Sequence, residues 1–304
     1  MYFATYQIKN HDRCDIGILN QEKTKILPLQ TIYDAFQERE GLGKCPQDMQ
    51  ALIEASDEGL IRKLSDLANR EEVKPAAVSL EDVKLCAPIP YPRRNVFCVG
   101  KNYLDHIREI SNAFGDRPEV PVFFSKVASP AIGHEDFIDS HPGVTKELDY
   151  EAELAVVIGK EGKNIPKEKA QDYIFGYTIL NDVSARDLQR GHSQWLKGKS
   201  LDTFCPMGPF LIYKEAVPFP VQLDIESEIN GEVRQRSNTR HLIFDIPTLV
   251  HILSQGLTLK PGDILATGTP SGVGMGFNPP RYLKPGDTVV CRIEKIGTLI
   301  NRVR

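Results

Sequence analysis

The stretch Asp149-Tyr150-Glu151-Ala152-Glu153 runs directly into Leu154-Ala155-Val156-Val157-Ile158-Gly159. Side chains alternate faces along a strand, so Asp149, Glu151 and Glu153 are expected to point the same way. The apolar continuation reads as a buried strand rather than a solvated edge. Taking carboxylates out of water costs on the order of several kcal/mol each unless something compensates. A hard divalent cation meets that need, and acidic oxygen ligands suit Mg²⁺ or Mn²⁺ better than zinc or copper. The alternative is an acidic stripe on the open face of an antiparallel sheet.

The chain has 304 residues, 41% hydrophobic and 26% charged, which allows one large globular domain or one medium and one small. A net charge of −4 and the absence of a basic run argue against nucleic-acid binding. The six cysteines are scattered with no C-x-x-C and read as reduced thiols, not as a disulfide frame or zinc site. Met1–Tyr6 lacks the blocks of a signal peptide, and no apolar run is long enough to span a membrane. A cytoplasmic protein is expected.

Residues 1–80 read as a small separate unit and residues 81–304 as a larger one. In the first, Tyr2–Ile8, Asp15–Leu19 and Lys25–Leu27 are expected strands. Gln30–Gln37 is a short helix, and Gln47–Asn69 a longer one that Gly59 is expected to interrupt. Arg70–Ala77, with Pro75, is a linker. The segment Ala87-Pro88-Ile89-Pro90-Tyr91-Pro92 permits neither helix nor central strand. Beyond it, strands are expected over Asn95–Val99, Val122–Ser125, Tyr150–Ile158, Ile174–Asn181, Pro209–Tyr213, Val221–Ile229, Ile264–Thr267 and Thr288–Ile293. Asn230-Gly231 signals a type I′ hairpin. Asp245 caps a helix with Pro247 in its first turn and Gly256 at its end. Helices do not alternate regularly with strands, so the expected class is mixed α+β and β-rich, a mostly antiparallel roll or sandwich.

Asp182 ends a predicted strand next to a helix start, placed either as a helix cap or as a third ligand beside Glu151 and Glu153. His106 and Glu109 share a face on a short helix, where a carboxylate fixes the imidazole tautomer and raises its basicity. The same pair occurs as an ordinary surface salt bridge. Ser111–Pro121 is polar and carries Gly115 and two prolines, as a closing lid would. Lys199 precedes the turn Cys205-Pro206-Met207-Gly208-Pro209 and could steady an enolate or carboxylate, or be a solvated loop lysine. Gly268-Thr269-Pro270-Ser271-Gly272-Val273-Gly274 lacks the Lys-Ser/Thr ending of a P-loop, and Pro270 removes one amide donor. It reads as a tight loop whose amides and Thr269 hydroxyl face a small carboxylate.

Together these motifs resemble the fumarylacetoacetate hydrolase superfamily. The resemblance rests on Lys101-Asn102-Tyr103 with His106 and Glu109, Asp149–Leu154, Asn181-Asp182 with Ala185-Arg186-Asp187, and Gly268–Gly274, and covers roughly residues 83–304. Residues 1–80 resemble the variable N-terminal domain of bacterial members. The resemblance implies a β-roll catalytic domain with a small N-terminal α/β domain, usually a homodimer. It implies Mg²⁺ or Mn²⁺ held by Glu151, Glu153 and Asp182, with His106 and Glu109 as a water-activating dyad on a lid. Lys199, Arg186, Gln189 and Thr269 match positions that contact the 2-oxo acid. The true fumarylacetoacetases carry a fourth acidic ligand seven residues before the histidine, where this chain has Val99. That departure favours the acylpyruvase and oxaloacetate decarboxylase branch: cleavage of a C–C bond in a 2,4-dioxo or 2-oxo dicarboxylic acid through a pyruvate enolate. A rival expectation is a non-catalytic protein that binds a dicarboxylate or acts as a scaffold on the same fold.

Overall fold

The structure, a computed structural model, describes residues 1–9, 13–128 and 130–304, with the backbone alone for Ser111 and Asn112. Its centre is the strand Ala152–Ile158, in which every residue is buried. Alternate residues serve two cores. Leu154, Val156 and Ile158 pack with Tyr177, Ile225, Val289 and Leu299, whereas Ala155 and Val157 pack with Phe36, Leu64, Phe175 and Leu211. A strand covered on both faces must be apolar at every position, which accounts for the unbroken run after Glu153.

Around this strand lies an eleven-stranded mixed sheet. From one edge the order is Val78–Ser79, Lys25–Pro28, Cys14–Leu19, Tyr2–Ile8, Met207–Tyr213, Ile174–Asn181, Ala152–Ile158, Ile264–Ala266, Val96–Gly100 and Val122–Lys126, and Val83–Leu85 also pairs with Tyr2–Ile8. Ile264–Ala266 and Val96–Gly100 run parallel; the other pairs are antiparallel. A five-stranded sheet, in the order Glu232–Asn238, Asp224–Ile229, Thr288–Ile293, Gly297–Val303 and Phe137–Ile138, closes the second core. The sheet crosses the boundary expected near residue 80, because Tyr2 and Phe3 pair with Ile212 and Leu211.

Local sequence explains the elements. Asn230 and Gly231 have φ of 53° and 85°, as a type I′ turn requires, and join Asp224–Ile229 to Glu232–Asn238. Asp245 accepts a hydrogen bond from the Thr248 amide and caps Ile246–Ser254. The helix expected over Gln47–Asn69 is two helices, Met49–Ala55 and Glu58–Ala68. The break falls at Ser56-Asp57 rather than at Gly59, because the Asp57 carboxylate accepts from the Leu60 amide and starts a new helix. The strand expected from Tyr150 begins at Ala152. Before it, Leu148–Asp149 forms a separate pairing with Ser184–Ala185. No helix among the described residues is long and apolar enough to cross a membrane.

Candidate active site

Where Ala152–Ile158 and Ile174–Asn181 pair, Ala152 lies opposite Asn181, so Glu151, Glu153 and Asp182 converge at one end of the ladder. The Asp182 amide donates to the Glu151 carbonyl at 2.8 Å, and the Asn181 side chain accepts from the Glu151 amide at 3.0 Å. Each acid offers a carboxylate oxygen within 4.8 Å of the others. All three are buried, Asp182 completely.

Three buried cations answer them. Lys199 donates to Glu151 Oε2 at 2.7 Å and to Asp182 Oδ2 at 2.8 Å. Arg186 reaches Glu151 Oε1 at 2.7 Å and donates from Nε to Asp149 Oδ2 at 2.9 Å. Lys126, which the sequence did not single out, sits 2.9 Å from Asp182 Oδ1 and also donates to the carbonyls of Val183, Phe204 and Lys199. Burial alone would raise the Glu151 pKa, but Lys199 and Arg186 overcome it and hold the carboxyl at about 2. Glu153 goes the other way. Burial first, then Asp182 and Glu151, push its pKa well above the usual carboxylate range. Lys199 loses charge stabilisation to burial and regains more from Asp182 and Glu151, so its pKa is raised. The pocket is thus short of positive charge at one position, Glu153, among three oxygen donors. That donor set fits a hard dication.

The helix Leu104–Phe114 carries the His106–Glu109 pair. His106 is buried, and its Nδ1 lies 2.8 Å from Glu109 Oε1. A carboxylate partner assigns the proton to Nδ1, which leaves the Nε2 lone pair for the pocket that His106 lines. Glu151, Glu153, Arg186, Gln189, Lys199 and Thr269 line the same pocket. Every candidate side chain is therefore either on its wall or, for Glu109 and Asp182, bonded to a residue that is.

Two expectations are corrected. Asp149 does not join Glu151 and Glu153, since residues 150–151 lie outside the strand; it pairs with Arg186 and accepts from the Gly274 and Met275 amides. The glycine-rich loop, in turn, binds the protein's own carboxylates. The Gly268 amide donates to Glu153, the Gly272 amide to Glu109, and the Gly274 amide to Asp149. The Thr269 hydroxyl donates to the Ala152 carbonyl and accepts from Gln235, so its proton faces inward rather than toward a ligand. Gln189 accepts from Arg186 Nη1 at 3.0 Å and fixes the guanidinium from its other side. Val99, where a fourth acid would stand, is buried and closes that corner with an apolar wall.

Fold and pocket together define a β-rich protein with a buried carboxylate triad facing an imidazole–carboxylate pair. The family model Fumarylacetoacetate (FAA) hydrolase C-terminal matches residues 95–304, and the chain belongs to that family. It is 46% identical over 307 residues to oxaloacetate tautomerase YisK of Bacillus subtilis, with all of both chains covered. Among solved structures it resembles a fumarylacetoacetate hydrolase from Exiguobacterium antarcticum, with a TM-score of 0.80 and 37% identity over 100% of this chain and 99% of that one. It also resembles a maleylpyruvate hydrolase from Sphingobium sp. SYK-6 in complex with manganese and pyruvate, with a TM-score of 0.75 and 30% identity over 100% and 98% of the two chains.

Proposed function

We propose that this protein is an enzyme that interconverts the enol and keto forms of oxaloacetate or a close 2-oxo dicarboxylate. The observation that carries this reading is the His106–Glu109 pair set on the wall of the pocket that Glu151 and Glu153 also line. Tautomerisation needs one base that removes a proton at oxygen and returns one at carbon, with the charge between those steps held by fixed cations. Full-length similarity to an oxaloacetate tautomerase supports the same choice.

Glu151, Glu153 and Asp182 would hold Mg²⁺ or Mn²⁺, which supplies Lewis-acid polarisation of the 2-oxo group. The chain's own residues do the rest. Glu109 keeps the His106 proton on Nδ1, so Nε2 accepts the enol proton and then delivers it to C3. Lys199, fixed by two carboxylates, adds positive potential beside the developing enolate. Arg186, braced by Asp149, Glu151 and Gln189, presents a rigid face for the substrate 1-carboxylate.

Hydrolytic C–C cleavage is the second reading, favoured by the maleylpyruvate hydrolase neighbour. It uses the same enolate but requires His106 to activate water at a distal carbonyl. The two separate in one assay that follows enol absorbance and pyruvate together, with Mg²⁺ present and then chelated. Faster enol decay without pyruvate supports tautomerisation, and pyruvate release from oxaloacetate or acetylpyruvate moves the assignment to bond cleavage. Neither effect would leave a binding or scaffold role.

A further inference from the structure

We infer that Lys101 is the subsite cation for a second, distal carboxylate, so that the pocket selects 2-oxo dicarboxylates over 2-oxo acids with a neutral tail. This rests on the function proposed above and names the feature that would set its substrate class.

Three cationic side chains, Arg186, Lys199 and Lys101, line the pocket. The first two are fully buried and bound to Asp149, Glu151 and Asp182 on the inner wall. Lys101 lines the pocket beside Phe114, Phe124 and Trp195, and these four are only partly buried. Its ammonium meets main-chain oxygens, those of Phe114 and, at 3.5 Å, of Asp116, and has no carboxylate partner among the described residues. An ammonium donates more strongly to a carboxylate than to a neutral carbonyl, so an arriving carboxylate would draw it away.

Its backbone is set for this placement. Lys101 has φ of 58°, in the left-handed region that long side chains seldom occupy. The preceding Gly100 has no room for a side chain, because a Cβ there would lie 2.4 Å from the Trp195 ring. The following Asn102 is wholly buried, donates to the Phe244 and Thr267 carbonyls and accepts from the Phe244 amide. A flexible side chain therefore extends from a fixed base along the pocket wall to the end of the helix Leu104–Phe114.

Space points the same way. The pocket holds about 20 Å³, enough for about one water and far too little for a four-carbon acid. Ion pairs hold Arg186 and Lys199 in place, whereas Lys101, Phe114, Phe124 and Trp195 are only partly buried, so the pocket widens most readily on their side. The far end of a substrate whose 2-oxo end lies at the triad must then pass Lys101. The Phe114 oxygen it now holds belongs to the end of the helix bearing His106. Binding a distal carboxylate would thus couple substrate recognition to the position of that helix.

The test compares two unreactive probes, malate and lactate, which differ by the distal carboxylate. Binding is measured by calorimetry with Mg²⁺ present, in the wild type, Lys101→Met and Lys101→Arg. The wild type should prefer malate by about tenfold or more, Lys101→Met should remove most of that preference while lactate affinity stays within about twofold, and Lys101→Arg should restore it. A wild type that does not distinguish the probes, or fails to bind malate, overturns the proposal, as does a Lys101→Met variant that keeps the preference. A wild type that prefers malate yet never accelerates oxaloacetate tautomerisation or cleavage would preserve the subsite and overturn the function instead.

Discussion

Glu153 is unfavourably placed for a charge. It is 1% exposed and accepts from the Gly268 amide, while Asp182 and Glu151 crowd it. Its folded pKa is raised, so below the ordinary carboxyl pKa both states carry the proton and the group has no effect. As pH rises above that value the unfolded chain ionises freely and the folded chain resists, so stability falls until the folded pKa is passed. In protein stripped of divalent metal, Glu153→Gln should therefore stabilise at pH 7 by about 1 kcal/mol or more, some 2–4 °C in Tm, and the gain should vanish near pH 4. The same variant should lose Mg²⁺ binding and activity, and a lower Tm at pH 7 would refute the charge assignment. Lys126→Met tests the opposite case. It removes a fully buried ammonium from Asp182 and three carbonyls, and should destabilise by roughly 3–5 kcal/mol in urea unfolding. The carboxylates were legible in sequence because acids beside an apolar strand demand an explanation. Lys126 was not, since it ends the strand Val122–Lys126 and meets a partner 56 positions away, Asp182, that only the fold brings near.

At the scale of elements, the site depends on a loop and a helix held together. The Gly272 amide donates to Glu109 Oε2, whose other oxygen holds His106, so the loop positions His106 through Glu109. Gly272 has φ of 103°, and a Cβ there would lie 1.9 Å from the Arg234 carbonyl oxygen. Gly272→Ala should therefore lower stability by about 2 kcal/mol or more and slow enol decay by about tenfold or more. A thermal melt and the enol assay check both, and an unchanged rate in a folded variant would separate the loop from the dyad. The sequence reading set the loop's amides and the Thr269 hydroxyl against a small carboxylate, whereas three of those amides meet the protein's own carboxylates. Composition cannot tell a ligand's carboxylate from Glu109, Glu153 or Asp149, which lie up to 163 residues away in the chain. Strand periodicity was more dependable: Ile174–Asn181 and Thr288–Ile293 fall where expected. The strand after the Asn230-Gly231 hairpin was implied but given no bounds, since Val233 is the one apolar residue in Glu232–Asn238, and Gly297–Val303 was not picked out because Thr298, Asn301 and Arg302 leave only short apolar pieces.

For the whole molecule, the question is whether residues 81–304 stand alone. The sequence divides near residue 80, where Pro75 and a charged stretch suggest a linker, yet hydrogen bonding and packing continue across it. Tyr2–Ile8 completes the edge of Met207–Tyr213, and the helices Leu29–Glu40, Met49–Ala55 and Glu58–Ala68 cover the face that carries Ala155, Val157, Phe175, Leu211 and Ile264. A chain beginning at residue 81 would expose that strand edge and apolar face, a combination that pairs and aggregates readily. The same face backs the strand bearing Glu153, so losing its cover should also loosen the carboxylate cluster. The full chain is expected to melt in one transition, and the 81–304 fragment to be insoluble or aggregated, without Mg²⁺-dependent oxalate binding. Light scattering, circular dichroism and calorimetry decide it. A monodisperse fragment that binds oxalate as the full chain does would make residues 1–80 an independent appendage rather than part of the site's foundation.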